Sequence, residues 1–143
     1  MIDWTNKLEK ITDHFTVKDA LFLGQWGRLA NDNDGLTQPI LDDLILTFQK
    51  LEEVRELLKN NPLIVTSGYR PPAYSPIVGG SEHDVHTQGL AVDFQPTNMT
   101  ITFAKSILRS NLIDLNIRME SGTKTWIHID RKSPGPSGRE FIP

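Results

Sequence analysis

The sequence predicts an α+β fold: a small, mostly antiparallel sheet with helices packed on one side and its other face open. Three observations predict it. One long amphipathic period runs through Ile40, Leu41, Leu44, Phe48, Leu51, Val54 and Leu58. Four short runs, 63–66, 91–94, 116–120 and 125–129, have the length and β-branched content of strands. The last two are joined by Ser121-Gly122-Thr123-Lys124, a hairpin connection that makes them antiparallel.

Taken in order, the chain begins with Leu8, Ile11 and Phe15 at a helix-like spacing. Thr16-Val17-Lys18-Asp19 has the form of a capping box, a hydroxyl at the cap and an acid three residues on. A short helix through 20–23 should follow and stop at Gly24, with Trp26 and Leu29 packing on the body. Asn31-Asp32-Asn33-Asp34-Gly35 superficially matches a calcium loop. Aligning its glycine places Ala30 and Leu41 at ligand positions, so the segment reads as a polar turn.

The long helix starts after Thr37 or Gln38, carries Pro39 in its first turn, and ends at Lys59-Asn60-Asn61-Pro62. Strand 63–66 then leads into a segment dense in turn residues and ionisable groups, 67–93. Thr100 or Asn98 can cap a further helix with Ile101, Ala104, Ile107 and Leu108 on one face. Residues 131–143, with Ser133-Pro134-Gly135-Pro136-Ser137-Gly138, read as an irregular tail. No repeat or linker divides the 143 residues, so they read as one domain.

Composition excludes several classes. A net charge of −3 gives no electrostatic reason to expect nucleic acid as partner. No apolar run is long enough to cross a membrane, and the first residues lack the pattern of a signal peptide. Synthesis in the cytoplasm and a monomeric state are the corresponding expectations. The absence of cysteine removes disulfides, thiolate metal sites and cysteine nucleophiles. Any metal must be held by His, Asp or Glu.

Three candidate ligands stand out: His86 in the turn-rich segment, Asp93 seven residues on in a strand, and His128 in the last strand. Two histidines and one carboxylate leave a coordination position for water, as catalytic zinc sites do. His83 forms a His-x-x-His pair with His86, yet on spacing alone each histidine is more often a satisfied polar residue than a ligand.

The blocks Ser67-Gly68-Tyr69-Arg70, Val78-Gly79-Gly80, His86-x-x-Gly89-x-Ala91-x-Asp93 and Trp126-Ile127-His128-Ile129-Asp130 change that weighting. In their order, and in the six-residue step from Gly80 to His86, they resemble the zinc D-alanyl-D-alanine carboxypeptidase and L-alanyl-D-glutamate endolysin family of peptidoglycan peptidases. The likeness covers roughly 15–130 and is closest to small, single-domain, phage-type members. It implies one Zn2+ per chain, held by His86, Asp93 and His128 in a cleft on the open face of the sheet. It implies that Arg70 contacts substrate and stabilises the oxyanion. A guanidinium near the metal suits that task. Tyr69 would shape the cleft, Trp126 would pack beside the metal, and His83 would contact substrate without ligating.

Two positions depart from the family pattern. Asp84 stands where a serine is common, and could orient His86 or solvate the loop. Thr125 stands where the family carries its general base, three residues before the last histidine, and a threonine hydroxyl cannot take a proton from water at neutral pH. Two acids are candidate replacements. Glu120 would face Thr125 if the hairpin closes on a four-residue loop, and Asp130 projects from the same strand face as His128. Glu82 is a third, in a loop. The expected function is hydrolysis of peptidoglycan stem peptides by zinc-activated water, reaching the wall after phage-type release or as part of a virion. The alternative is a zinc-stabilised structural or binding module that has lost its base.

Overall fold

The computed structural model describes all residues, 1–143. Its main sheet has five strands: β3 (Leu63–Ser67), β4 (Ala91–Pro96), β5 (Arg118–Glu120), β6 (Ile127–Asp130) and β7 (Glu140–Phe141), in the order β3-β4-β6-β5-β7. All pairings are antiparallel except β5 with β7. A two-stranded ladder, β1 (Phe22–Leu23) with β2 (Arg28–Leu29), stands apart. Four helices complete the fold: α1 (Val17–Leu21), α2 (Gln38–Leu57), α3 (Ile101–Arg109) and α4 (Leu112–Leu115). None is long and apolar enough to cross a membrane.

Directly paired residues in an antiparallel sheet share a face. Val92 with Ile129, Phe94 with Ile127, and Met119 beside Ile129 therefore point one way, into the core with Leu44, Phe48, Leu51 and Leu108 from the helices. Asp93 with His128, and Ala91 and Arg118 with Asp130, point the other way. One face of the sheet is hydrophobic and helix-covered; the other carries the chemistry. The α+β expectation holds, including helices on a single side.

Local chemistry explains most of the elements. Thr16 and Asp19 form the reciprocal capping box of α1. Thr100 accepts from the Phe103 amide at the start of α3. Helix α2 buries Leu44, Phe48, Leu51 and Val54 on one stripe, and ends where Lys59 and Asn60 take positive φ. The polar segment 31–35 is a capped turn, with Asp34 holding Arg28 at 2.7 Å.

Four expectations need correction. Residues 1–15 form turns, not a helix: Leu8 is 75% exposed, while Ile11 and Phe15 are buried in the core and Ile2 and Trp4 pack against it. Helix α1 ends at Leu21, because Phe22 and Leu23 pair with Leu29 and Arg28. The hairpin is wider than a four-residue loop. Arg118 pairs with Asp130 and Met119 with Ile129, so Thr125 lies outside the strands. The tail is not merely irregular. Its β7 lies against β5, with Arg109 of α3 gripping Glu140 through two bonds of 2.7 and 2.9 Å.

The strand leaving β3 shows why Ser67-Gly68-Tyr69-Arg70 has its composition. The Tyr69 amide donates to the Ala20 carbonyl at 2.8 Å, drawing the chain against α1. A Cβ on Gly68 would sit 2.5 Å from the Ala20 carbonyl oxygen. Gly68→Ala should therefore destabilise the fold by about 1–3 kcal/mol or more, read as a lowered Tm. An unchanged Tm would show that α1 can yield.

Candidate metal centre

Three elements converge on the open face. The turn at Val85–Gln88 brings in His86, β4 brings Asp93, and β6 brings His128. One ligand atom from each lies within 4.8 Å of the others, and all three residues are buried. His86 Nε2 is 3.2 Å from Asp93 Oδ1, and His128 Nδ1 is 2.8 Å from the same oxygen.

The far nitrogen of each ring is occupied. His86 Nδ1 is 2.9 Å from the Gly68 carbonyl. A carbonyl only accepts, so that nitrogen carries the hydrogen and Nε2 presents a lone pair to the site. His128 Nε2 is 2.9 Å from Asp130 Oδ2, a carboxylate that assigns the hydrogen to Nε2 in the same way. The donor set, two imidazole nitrogens and a carboxylate oxygen with both rings oriented from behind, fits a zinc ion.

Asp130 is itself held by Arg118, through bonds of 2.8 Å from both Nε and NH2. Its Oδ1 also accepts the Lys132 amide. Phe141 of β7 packs its ring 3.9 Å from the Arg118 guanidinium carbon and edge-on to His128. Asp130 was a candidate catalytic acid; its carboxylate is wholly buried and fully engaged, so it stands behind His128 as an orienting group. Sequence reasoning missed Arg118 and Phe141.

Burial alone would raise the Asp93 carboxyl, but the facing His86 and His128 imidazoles outweigh it and hold it well below the usual carboxylate range. Burial alone would lower His128. Its hydrogen bonds to Asp130 and Asp93 reverse this and raise it to about 9. Metal must therefore displace a proton from His128 Nδ1. Below about pH 9 each ion bound should release one proton from this ring, and affinity should fall about tenfold per pH unit as the medium is acidified. In the metal-free protein the same proton stabilises the fold below the ordinary histidine range, and that stability is lost as pH rises through about 9. Calorimetry of zinc binding in buffers of different ionisation heat measures the released proton. Zero release at neutral pH would contradict the raised value.

The remaining residues fall into place around a cleft with two lobes. The larger, a cavity of about 680 Å³, holds the metal ligands, Arg70, Glu120 and His83. The smaller, about 310 Å³, includes Tyr69 and Thr125. Arg70, Asp93, Val78 and Trp126 line both. Arg70 is pinned by Ser67 Oγ at 2.8 Å and Asp93 Oδ2 at 2.9 Å.

Extending the Arg118–Asp130 and Met119–Ile129 register by one step sets Glu120 opposite His128, on the same face. Glu120 thus reaches the metal cavity by a route different from the expected one across the hairpin loop. Thr125 lies in the other lobe. Asp84 does not touch the His86 ring. Its carboxylate accepts the His86 amide at 2.9 Å and the Ser75 hydroxyl, capping the turn that presents His86. Tyr69 is 1% exposed and its hydroxyl donates to the Asp34 carbonyl, so it offers the cleft a wall and no free hydroxyl. His83 is exposed at the rim of the metal lobe, outside the ligand set.

The family model described as Peptidase M15 matches residues 6–130. The chain belongs to the peptidase M15 family. The match takes in Arg70, Glu120 and all three candidate ligands of this M15 chain. It reaches further toward the N-terminus than the resemblance read from motifs, which began near Phe15. No curated protein and no solved structure gives a significant match. The M15 assignment supports a hydrolase of the zinc-dependent peptidase class, and the His86-Asp93-His128 cluster is its possible metal site.

Proposed function

We propose that this chain is a zinc peptidase that hydrolyses peptidoglycan stem peptides, at the terminal D-Ala-D-Ala bond or at L-Ala–D-Glu. The observation that carries the reading is the open cleft in which His86, Asp93 and His128 converge while the Glu120 carboxylate faces the same cavity. One Zn2+ per chain, held by those three residues, would supply a Lewis acid and lower the pKa of a water at the site. Glu120 takes the proton from the attacking water and returns it to the leaving amine. The Arg70 guanidinium, held by Ser67, by Asp93 and through NH1 by Asp84 at 3.6 Å, is a fixed positive charge at the metal cavity that would stabilise negative charge developing on the amide oxygen. Asp130 and Arg118 hold His128 in register throughout.

The protein acts as a monomer on the bacterial wall, after phage-type release or as a virion part. A base beside His128 supports this enzyme over a structural zinc module. Zinc-loaded protein incubated with purified peptidoglycan should release new amino termini, and chelation followed by zinc should remove and restore that release. Stem peptides left intact by the loaded wild type would overturn the reading.

A further inference from the structure

The loop 121–126 joins β5 to β6 and is mostly exposed. Among its residues only Ser121 forms a backbone–backbone hydrogen bond, its amide donating to the Phe141 carbonyl at 2.8 Å. The Thr123 hydroxyl is buried without a hydrogen-bond partner, so it does not fasten the loop. Two side chains from other elements do. Lys105 Nζ of α3 donates to the Thr123 carbonyl at 2.6 Å, and Gln95 Nε2 of β4 donates to the Thr125 carbonyl at 2.9 Å.

Lys105 takes part in none of the steps above, and it is only 7% exposed. Burial pushes its ammonium below the ordinary lysine value, opposed by the Glu140 and Glu120 carboxylates. Packing alone does not call for a charge there, because an apolar side chain would meet no such cost. The Thr123 carbonyl is the hydrogen-bond partner that accounts for it. Four residues on, the same face of α3 carries Arg109, which holds Glu140 of β7. One helix thus anchors both the loop that follows β5 and the strand beside it.

Glu120 directly precedes this loop, and Trp126 closes it. Trp126 is 38% exposed and is a wall of both lobes of the cleft. With so few backbone bonds, the two carbonyl anchors set where that wall stands. A loop without them would have to be ordered each time substrate arrives, at the expense of affinity. We propose that Lys105 and Gln95 are positioning residues that clamp the loop 121–126 and so hold Trp126 ready for substrate. The inference rests on the peptidase reading for the word substrate, and on the two anchors for the clamp.

The test reads the indole signals of Trp4, Trp26 and Trp126 by NMR, with stem-peptide hydrolysis by the zinc-loaded protein as a second readout. Lys105→Met removes the donor and keeps an unbranched side chain of similar bulk. It should shift the Trp126 signal and leave those of Trp4 and Trp26 in place. KM should rise by about tenfold while kcat stays within about threefold of wild type, because Trp126 receives substrate and touches no reacting atom. Lys105→Arg, which keeps a charged donor, should restore the signal and most of the KM. Gln95→Met should move the same indole signal through the other anchor, and decides the matter if Lys105→Met folds poorly.

A Trp126 signal unmoved in both methionine variants would overturn the clamp. So would an unchanged KM in a variant whose Trp126 signal has moved. Equal shifts of all three indoles that Lys105→Arg does not reverse would overturn it too, because they report a general loss of structure. A wild type that hydrolyses no stem peptide would overturn the peptidase reading alone, and the indole signals would still decide the clamp.

Discussion

Glu120→Gln should lower kcat/KM on a stem peptide by about 10²–10⁴-fold while leaving zinc affinity near that of wild type. The size follows from what else the cleft offers. Thr125, at the family's base position, lies in the other lobe and has no acidic proton acceptor to give. Asp130 has both oxygens bound by His128 and Arg118. Glu82 extends from an exposed loop and does not line the metal cavity. Glu120 is the carboxylate that shares the sheet face with His128, lines that cavity, and has no ion-pair or hydrogen-bond partner of its own. Its amide isostere keeps the shape and removes the proton acceptor. Zinc affinity separates the roles, because a ligand lost from the metal would lower both quantities. Wild-type turnover in the variant would exclude Glu120 as the base.

The same residue shows how far the sequence could be read. A carboxylate near His128 was legible, because Glu120 ends an alternating polar-apolar run before a turn and His128 sits in an apolar run after it. The register was not. Thr125-Trp126 carries strand-forming residues, but Gln95 Nε2 holds the Thr125 carbonyl at 2.9 Å and Trp126 forms a wall of the cleft, so both stay outside β6. That contact comes from a residue thirty positions away, which no local pattern records.

The metal ligands were legible for the opposite reason. Their spacing and the glycines around them are local requirements of a turn and two strands. The supports behind them were less so. Arg118 alternates with Glu120 across Met119 in a strand that pairs with that of His128, so period-two reasoning could have found it. Phe141 follows a proline- and glycine-rich stretch and joins the sheet through a two-residue parallel strand, a pairing set by tertiary contacts alone. At the other end, Leu8 sits at helical spacing with Ile11 and Phe15, yet remains in solvent because the segment folds as turns that bury the latter two.

Asp130→Ala should weaken zinc binding by about 10–100-fold, measured by competition with a chelator of known affinity. Asp130 touches no ligand atom aimed at the site; it acts through His128. Its Oδ2, 2.9 Å from His128 Nε2, keeps the ring turned so that Nδ1 faces Asp93 and His86. Without it, the imidazole loses the acceptor that selects its tautomer, and the ring must be ordered at the expense of binding energy. The change also strands Arg118, which packs on Phe141 with only 11% of its side chain exposed. Breaking such a pair by removing one partner costs up to about 3–5 kcal/mol, so the variant's Tm should fall as well. Asp130→Asn distinguishes the two effects. Its amide oxygen can still accept from His128 Nε2, while its amide group cannot accept the second bond from Arg118. The asparagine variant should therefore keep most of the zinc affinity and lose part of the stability. If alanine and asparagine lose zinc affinity equally, the negative charge rather than the oriented hydrogen bond tunes the metal. If neither loses it, Gly68, Asp93 and the packing of Phe141 hold the rings without Asp130.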